Sequence, residues 1–324
     1  MSLDVDQVLD SRRMRRKVTF WRIFGVAAVL IAIAGIVSAV GGSNYIEKST
    51  EHVARVTIGG LIRNDRQRVE MLEEIEKSGA KAVLLIIDSP GGTVAGSEQL
   101  YKALRKLAEK KPIVAVVEGS AASGAYIAAL GADRIFAPRS AIVGSIGVIF
   151  QYPNFHQLLK NIGVDVESIK SSPLKASPNG LEPTSPEAKA AVQALVTDSY
   201  DWFKDLVKER RALDNATLAK VADGRVFTAA QALPLKLVDE IGDERTARAW
   251  LAKNKNVPAD LTVRDWKGKA VGSEFRWLGA LSAIADAAGL SSLASVIGND
   301  SVLRAAAQAQ LDGLLALWHP QLTN

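Results

Sequence analysis

The chain has no cysteine, very little histidine, few aromatics and no charge run of one sign outside its N-terminal end. With Cys at 0 in 324 residues, disulfides, a thiolate nucleophile and cysteine-based metal sites are excluded. The three histidines, His52, His156 and His319, lie far apart in sequence, and neither a metal site nor a cofactor is expected. Aromatics make up 6% and charged residues 23% of the chain, values ordinary for a soluble fold. Much of the net charge of +5 sits in Arg12, Arg13, Arg15, Arg16, Lys17 and Arg22. Beyond them no basic stripe with interleaved aromatics occurs, which argues against a nucleic-acid partner. The length permits one large domain or two modest ones, with a substantial core.

What is present begins with an uncharged apolar run over residues 23–42. About 20 residues make a helix of about 30 Å, the thickness of a bilayer core. That exceeds the ~7–15 apolar residues of a secretory leader, although Ala39-Val40-Gly41 offers an alternative reading as a cleavage site. The basic flank places the N-terminus inside, and Trp21 and Tyr45 fall where interfacial aromatics belong. The expected organisation is a basic cytoplasmic tail (1–22), a transmembrane anchor contacting lipid (23–42), a polar linker (43–51), a main domain (52–248) and a helical C-terminal extension (249–324). The main domain then faces the extracytoplasmic side of the plasma (inner) membrane.

Within the main domain, Val83-Leu84-Leu85-Ile86-Ile87 and Ile113-Val114-Ala115-Val116-Val117 read as buried strands. Each leads through a tight turn, Ser89-Pro90-Gly91-Gly92 or Ser120-Ala121-Ala122-Ser123-Gly124, into helical spacing. Val53 to Ile58 alternates like a strand, turned by Gly59-Gly60; residues 133–137 and 164–169 are further strand candidates, and 143–149 is a loop entering one. Lys170 to Pro186 reads as an exposed loop. A long helix begins at Pro186, with Ser185 as N-cap. Short strand-and-turn elements follow at 223–228 and 237–242. Strands alternating with helices predict an α/β domain with a largely parallel sheet.

The second turn sets Ser123 among residues too small to shield it, a layout suited to a hydroxyl nucleophile. The glycines of the first turn can aim backbone N–H groups at a developing oxyanion. Such a serine needs a base. His156 is the histidine within reach of a triad, but its flanks read as a helix start. A lysine is the other choice, and it must be neutral: a free lysine titrates near ~10.4, and burial lowers that value. Lys175, between Leu174 and Ala176 with no acid from 168 to 181, fits; Lys170 competes locally, and composition alone favours an ordinary solvated loop lysine.

Taken together, Ser89-Pro90-Gly91-Gly92, Ser120-Ala121-Ala122-Ser123-Gly124, Gly144-Ser145-Ile146-Gly147-Val148, Ile169-Lys170-Ser171 with Lys175, and Asp223-Gly224-Arg225-Val226 resemble the signal peptide peptidase A family. These are membrane-anchored Ser-Lys peptidases of the ClpP/crotonase superfamily, and the likeness covers residues 53–245. It implies a ClpP/crotonase-like domain in which Ser123 is the nucleophile and Lys175 the general base. Ser145, otherwise a turn serine, would orient the lysine, and the N–H groups of Gly92 and Gly124 would form the oxyanion hole. It also implies peptide substrates such as remnant signal peptides, and a homo-oligomer whose sites are shared between protomers. Ala125, Ser172 and Lys236 stand where the family usually has glycine. Two other readings use the same fold: a crotonase-like acyl-thioester enzyme, disfavoured by an extracytoplasmic location, and a non-catalytic membrane assembly module.

Overall fold

The computed structural model of the chain describes residues 49–267 and 315–317, together with 17, 19–25 and 27. The chain divides into two units, Met1–Glu51 and His52–Asn324. In the first unit, residues 17, 19–25 and 27 are helical. Among the described residues no helix is long and apolar enough to cross a membrane. The expected anchor over 23–42 lies outside the described residues except at 23–25 and 27.

The second unit is a mixed α/β fold. In chain order its elements are β1 (His52–Ile62), α1 (Arg66–Lys77), β2 (Ala80–Thr93), α2 (Val94–Ala108), β3 (Ile113–Ala122), α3 (Gly124–Ala129), β4 (Arg134–Ala137) and β5 (Ile142–Gly144). There follow α4 (His156–Asn161), α5 (Pro186–Arg211), α6 (Asn215–Val221), β6 (Val226–Thr228), α7 (Ala229–Ala232), β7 (Glu240–Ile241), α8 (Glu244–Lys255), β8 (Val263–Trp266) and β9 (Leu315–Leu317). The central sheet runs β6-β5-β3-β2-β1-β8, with β4 and β9 joining β3 and β2. The β1–β2, β2–β3, β3–β4 and β3–β5 pairs are parallel, as repeated strand–turn–helix units require.

Both faces of this sheet are covered, which explains why its strands read as unbroken apolar runs rather than alternating ones. Val83, Leu85 and Ile87 point to a core shared with α1, α2, α3 and α5, through Leu72, Leu104, Tyr126 and Phe203. Their neighbours Leu84 and Ile86 point to a second core, closed by Ala247 and Leu251 of α8. Helix α5 starts where its cap predicts. The Ser185 side chain accepts a hydrogen bond from the Ala188 N–H, and Pro186 occupies the first turn.

Three expectations need correction. Gly59-Gly60 does not turn β1; the strand continues to Ile62 through a bulge between Gly59 and Leu61, since one extra residue can be absorbed without ending the ladder. Residues 164–169 form no strand, and Val164, Val166 and Ile169 are exposed. Their apolar pattern is that of a strand, but no described strand pairs with it. Finally, the C-terminal extension is not simply helical. Helix α8 crosses the expected boundary at 248, and β8 then covers the free edge of β1 in parallel register, Val53 opposite Val263. Strand β9 pairs with the end of β2, and residues 268–314 and 318–324 lie outside the described residues.

Candidate active site

In parallel sheets, ligand sites form beyond the carboxyl ends of the strands, and here β2, β3 and β5 end together. Ser123 follows β3 directly and heads α3. Its backbone takes φ 55°, ψ −119°, a conformation that a residue with a Cβ adopts only when its surroundings impose it. What imposes it is visible. The Ser123 N–H donates to the Gly144 carbonyl at 2.7 Å, while its own carbonyl accepts from Tyr126 and Ile127 at 2.9 and 3.1 Å. Strand and helix thus grip both sides of one residue, and the Oγ makes no capping bond.

The helix behind the serine is itself pinned. The fully buried Tyr126 donates its hydroxyl to the Leu237 carbonyl at 2.7 Å, and burial pushes its phenol well above the ordinary range. Arg211 holds the adjacent Asp239 through two hydrogen bonds of 3.0 and 2.9 Å. Asp239 in turn accepts from the Ile135 N–H on β4 at 2.8 Å. The Lys236-Leu237-Val238-Asp239 segment is therefore a buttress for α3.

Ser145 sits one step from Ser123, because β3 and β5 pair Ala122 with Gly144. It too has a positive φ, 52°, and is buried. Its N–H donates to the Arg225 carbonyl at 2.8 Å, so the Asp223-Gly224-Arg225-Val226 segment fixes the Ser145 turn. The side chain of Asp223 closes that segment by accepting from the Arg225 N–H and guanidinium at 3.1 and 2.6 Å.

The glycine turn is as tightly built. A Cβ on Gly92 would stand 1.8 Å from the Ile62 carbonyl oxygen, so no other residue fits there without moving β1. Ser89 is fully buried; its hydroxyl donates to the Gly60 carbonyl at 2.6 Å and accepts from the Gly91 N–H at 3.1 Å. Asp88 accepts from the Ser120 N–H at 3.0 Å, tying this turn to the strand that delivers Ser123. Sequence reasoning gave Ser89, Asp88 and Tyr126 no role of their own. The position of Ser89 ahead of a Pro-Gly-Gly turn was the available signal.

Lys175 is a different matter. It lies on an exposed loop and is itself exposed. Neither its Nζ nor the Ser123 Oγ has a side-chain hydrogen bond among the described residues. The strand ends thus bring Ser123, Gly124 and Ser145 to the side of the sheet where the Gly91-Gly92 turn lies, and Lys175 is carried on an exposed loop. Its competitor Lys170 is engaged elsewhere, donating to Glu182 at 2.5 Å. That bond, assisted by Ser168, holds the Glu182 carboxyl below its ordinary range. Histidine offers no substitute base among the described residues. His52 is buried at the start of β1, the opposite end of the sheet from Ser123, where its Nε2 accepts from the Trp266 indole at 3.0 Å. His156 opens α4 with its N–H on Asn154 at 3.0 Å. His319 lies outside the described residues. A cavity of ≈ 810 Å³ between β3 and α8, lined by Val117, Glu118, Asp243 and Arg248 among others, includes none of these site residues.

Comparison with known proteins places the whole chain. The pattern of peptidase family S49 matches residues 105–258. A protein named as a protease in Synechocystis sp. is 39% identical over 215 residues, which cover 66% of this chain and 78% of that one. The chain belongs to peptidase family S49. A protein of Enterococcus faecium named as signal peptide peptidase SppA is 32% identical over 253 residues, covering 78% of this peptidase and 70% of its own length. A ClpP1 variant from Listeria monocytogenes superposes with a TM-score of 0.39 at 16% identity, covering 59% of this chain and 92% of that one. Membership makes the protein a serine peptidase.

Proposed function

We propose that the protein is a membrane-anchored endopeptidase working through a Ser123–Lys175 dyad. The Ser123 Oγ attacks the scissile carbonyl carbon as neutral Lys175 takes its proton. The oxyanion accepts hydrogen bonds from the N–H groups of Gly92 and Gly124. The C–N bond then breaks, the leaving amine takes the proton from Lys175, and water repeats the sequence to free the acyl group. Ser145 donates to or accepts from the lysine and orients it. The observation that carries this reading is the backbone of Ser123, held in a strained strand-to-helix turn beside Gly144-Ser145.

Because Lys175 is exposed in the single chain, the dyad is proposed to close between protomers of a homo-oligomer. Supporting this, Phe155, Leu158, Ile162, Ile169 and Leu174, all on the segment that carries Lys175, are exposed. An apolar stretch of this extent is characteristic of an interface, and a second copy packed over it would remove water from the amine. Lowering a lysine into neutrality requires just such desolvation.

Residues 23–42 would anchor the enzyme in the plasma membrane, N-terminus inside, with the catalytic unit on the extracytoplasmic side. Substrates are proposed to be extended peptides, including signal peptides left in the bilayer, as the name of the Enterococcus relative suggests. Ser123→Ala and Lys175→Ala are each expected to lower kcat/KM on a fluorogenic peptide by at least about 10³-fold, with folding intact by circular dichroism. Full activity in either variant would refute the dyad.

A further inference from the structure

Strand β3 reaches Ser123 through an irregularity that sets where the serine stands. Up to Val117, opposite Ile87, β2 and β3 pair residue for residue. The next pair is Ser89 with Ala121, so one residue of β2, Asp88, faces three of β3: Glu118, Gly119 and Ser120. Two extra residues are thus absorbed, an even number, and Val117 and Ala121 still face the same core. Their effect is on register. Carried forward from Ser89 and Ala121, the ladder puts Ser123 level with Gly91, next to Gly92. Carried forward unbroken from Ile87 and Val117, it would put Ser123 level with Thr93, the N-cap of α2. At about 3.3 Å per residue in a parallel sheet, the difference is about 6.6 Å, far more than an attack distance tolerates.

The ladder itself does not hold this bulge. On the edge of β3 away from β2, β4 pairs only with Val114 to Val116 and β5 only with Ser120 to Ala122. Among the described residues, Glu118 and Gly119 therefore have no strand partner on either edge. The side chain of Asp88 takes that place. Its Oδ1 accepts from the Ser120 N–H at 3.0 Å and from the Ser120 hydroxyl at 3.2 Å. The same oxygen fills the space beside Gly119, where a Cβ would stand 2.7 Å from it. Asp88 is fixed in turn by its backbone, which pairs with Gly59 of β1. A carboxylate on β2 thus fits the bulge to the sheet three residues ahead of Ser123.

We infer that Asp88 is a positioning residue of the peptidase, which keeps Ser123 level with the glycine turn by holding Glu118 to Ser120 as a bulge. The inference rests on the proposed roles of Ser123 and Gly92. Because Asp88 acts through Ser123, its loss is read in kcat and not in KM. Neither bond to Ser120 needs a charge, since an amide oxygen accepts as a carboxylate oxygen does. Asparagine therefore preserves the function and alanine does not. Gly119 belongs to the same device. An alanine there needs the space of the Asp88 oxygen, and it gains that space only by breaking the two bonds to Ser120. Gly119→Ala and Asp88→Ala thus remove one contact from its two sides.

The test uses the full-length protein in detergent, with kcat counted per Ser123 labelled to completion by a fluorophosphonate, so that misfolded chains drop out. Asp88→Ala is expected to lower kcat on a fluorogenic peptide about tenfold or more, with KM within about twofold of wild type. Asp88→Asn should restore kcat to within about threefold. Gly119→Ala should lower kcat as Asp88→Ala does. The double variant should be no worse than Asp88→Ala alone, because the clash at Gly119 goes with the carboxylate. A carboxylate that only stabilises the fold would reduce the number of labelled sites and leave kcat per site unchanged, which would overturn the inference. Losses that multiply in the double variant would overturn it as well. Should Asp88→Ala fail to fold, Gly119→Ala decides alone, and wild-type kcat per site there would refute the positioning role. Undiminished hydrolysis by Ser123→Ala would instead remove the active site on which the inference rests.

Discussion

At Ser123 the positive φ of 55° costs about 1–2 kcal/mol for a residue with a Cβ, and glycine would avoid it. Glycine would remove the hydroxyl on which the proposed mechanism depends, and that hydroxyl is buried in the single chain, not left unshielded as its small neighbours suggest. Ser123→Gly is therefore expected to abolish hydrolysis while raising stability by about 0.5–1 kcal/mol, the relieved strain being partly offset by glycine's unfolded-state entropy. Urea denaturation beside a peptidase assay checks both halves; a destabilised Ser123→Gly would show that the turn carries no strain. The same comparison explains a departure noted in the sequence. Lys236 stands where the family usually has glycine, and its φ is 60°, so the left-handed backbone is kept and the lysine bears it. The layout of the two strand–turn–helix units points to Ser123 and to the glycine turn, whereas Ser145 is singled out only by the family resemblance. The strain was not, because it arises from the hydrogen bonds of Gly144, Tyr126 and Ile127 to one peptide unit, and these partners are brought up by three separate elements.

Among the elements, β2, β3 and α5 could be read directly, since runs such as Val83 to Ile87 and the Ser185-Pro186 cap specify their structure locally. Residues 164–169 and 315–317 could not. The first has a strand's pattern without a described partner, and the second lies in Ala- and Leu-rich sequence whose structure is decided by a β2 edge more than two hundred residues away. The loop that follows residues 164–169 carries Lys175 and is braced by Lys170 on Glu182. The Glu182 carboxyl is held below its ordinary value of 4.5, first by that hydrogen bond. A depressed carboxylate contributes stability that is complete above 4.5 and is lost as pH falls through the lower folded-state value. Hydrogen exchange over residues 168–182 is thus expected to accelerate on acidification below about pH 4.5, beyond the intrinsic chemical trend. Glu182→Gln should remove that pH dependence; a wild-type profile in the variant would show that the brace does not control the loop.

For the whole molecule, the order of the glycine turn, Ser123, Ser145 and Lys175 along the chain says nothing of the distances between them. Three of these meet at the carboxyl ends of β2, β3 and β5, while Lys175 remains on an exposed surface with apolar neighbours. Sharing the site between protomers makes a prediction that no single-chain dyad allows. An equimolar mixture of inactive Ser123→Ala and Lys175→Ala chains, allowed to exchange subunits, should recover about a quarter of wild-type activity, since half the serines meet half the lysines. No recovery, with exchange confirmed, would place both groups in one chain. The account as a whole depends on which hydroxyl reacts. Treating the intact protein with a serine-directed fluorophosphonate and locating the adduct by mass spectrometry is the most direct measurement. The label is expected on Ser123, and to be lost in Lys175→Ala; labelling at any other residue, with Ser123 unmodified, would contradict it.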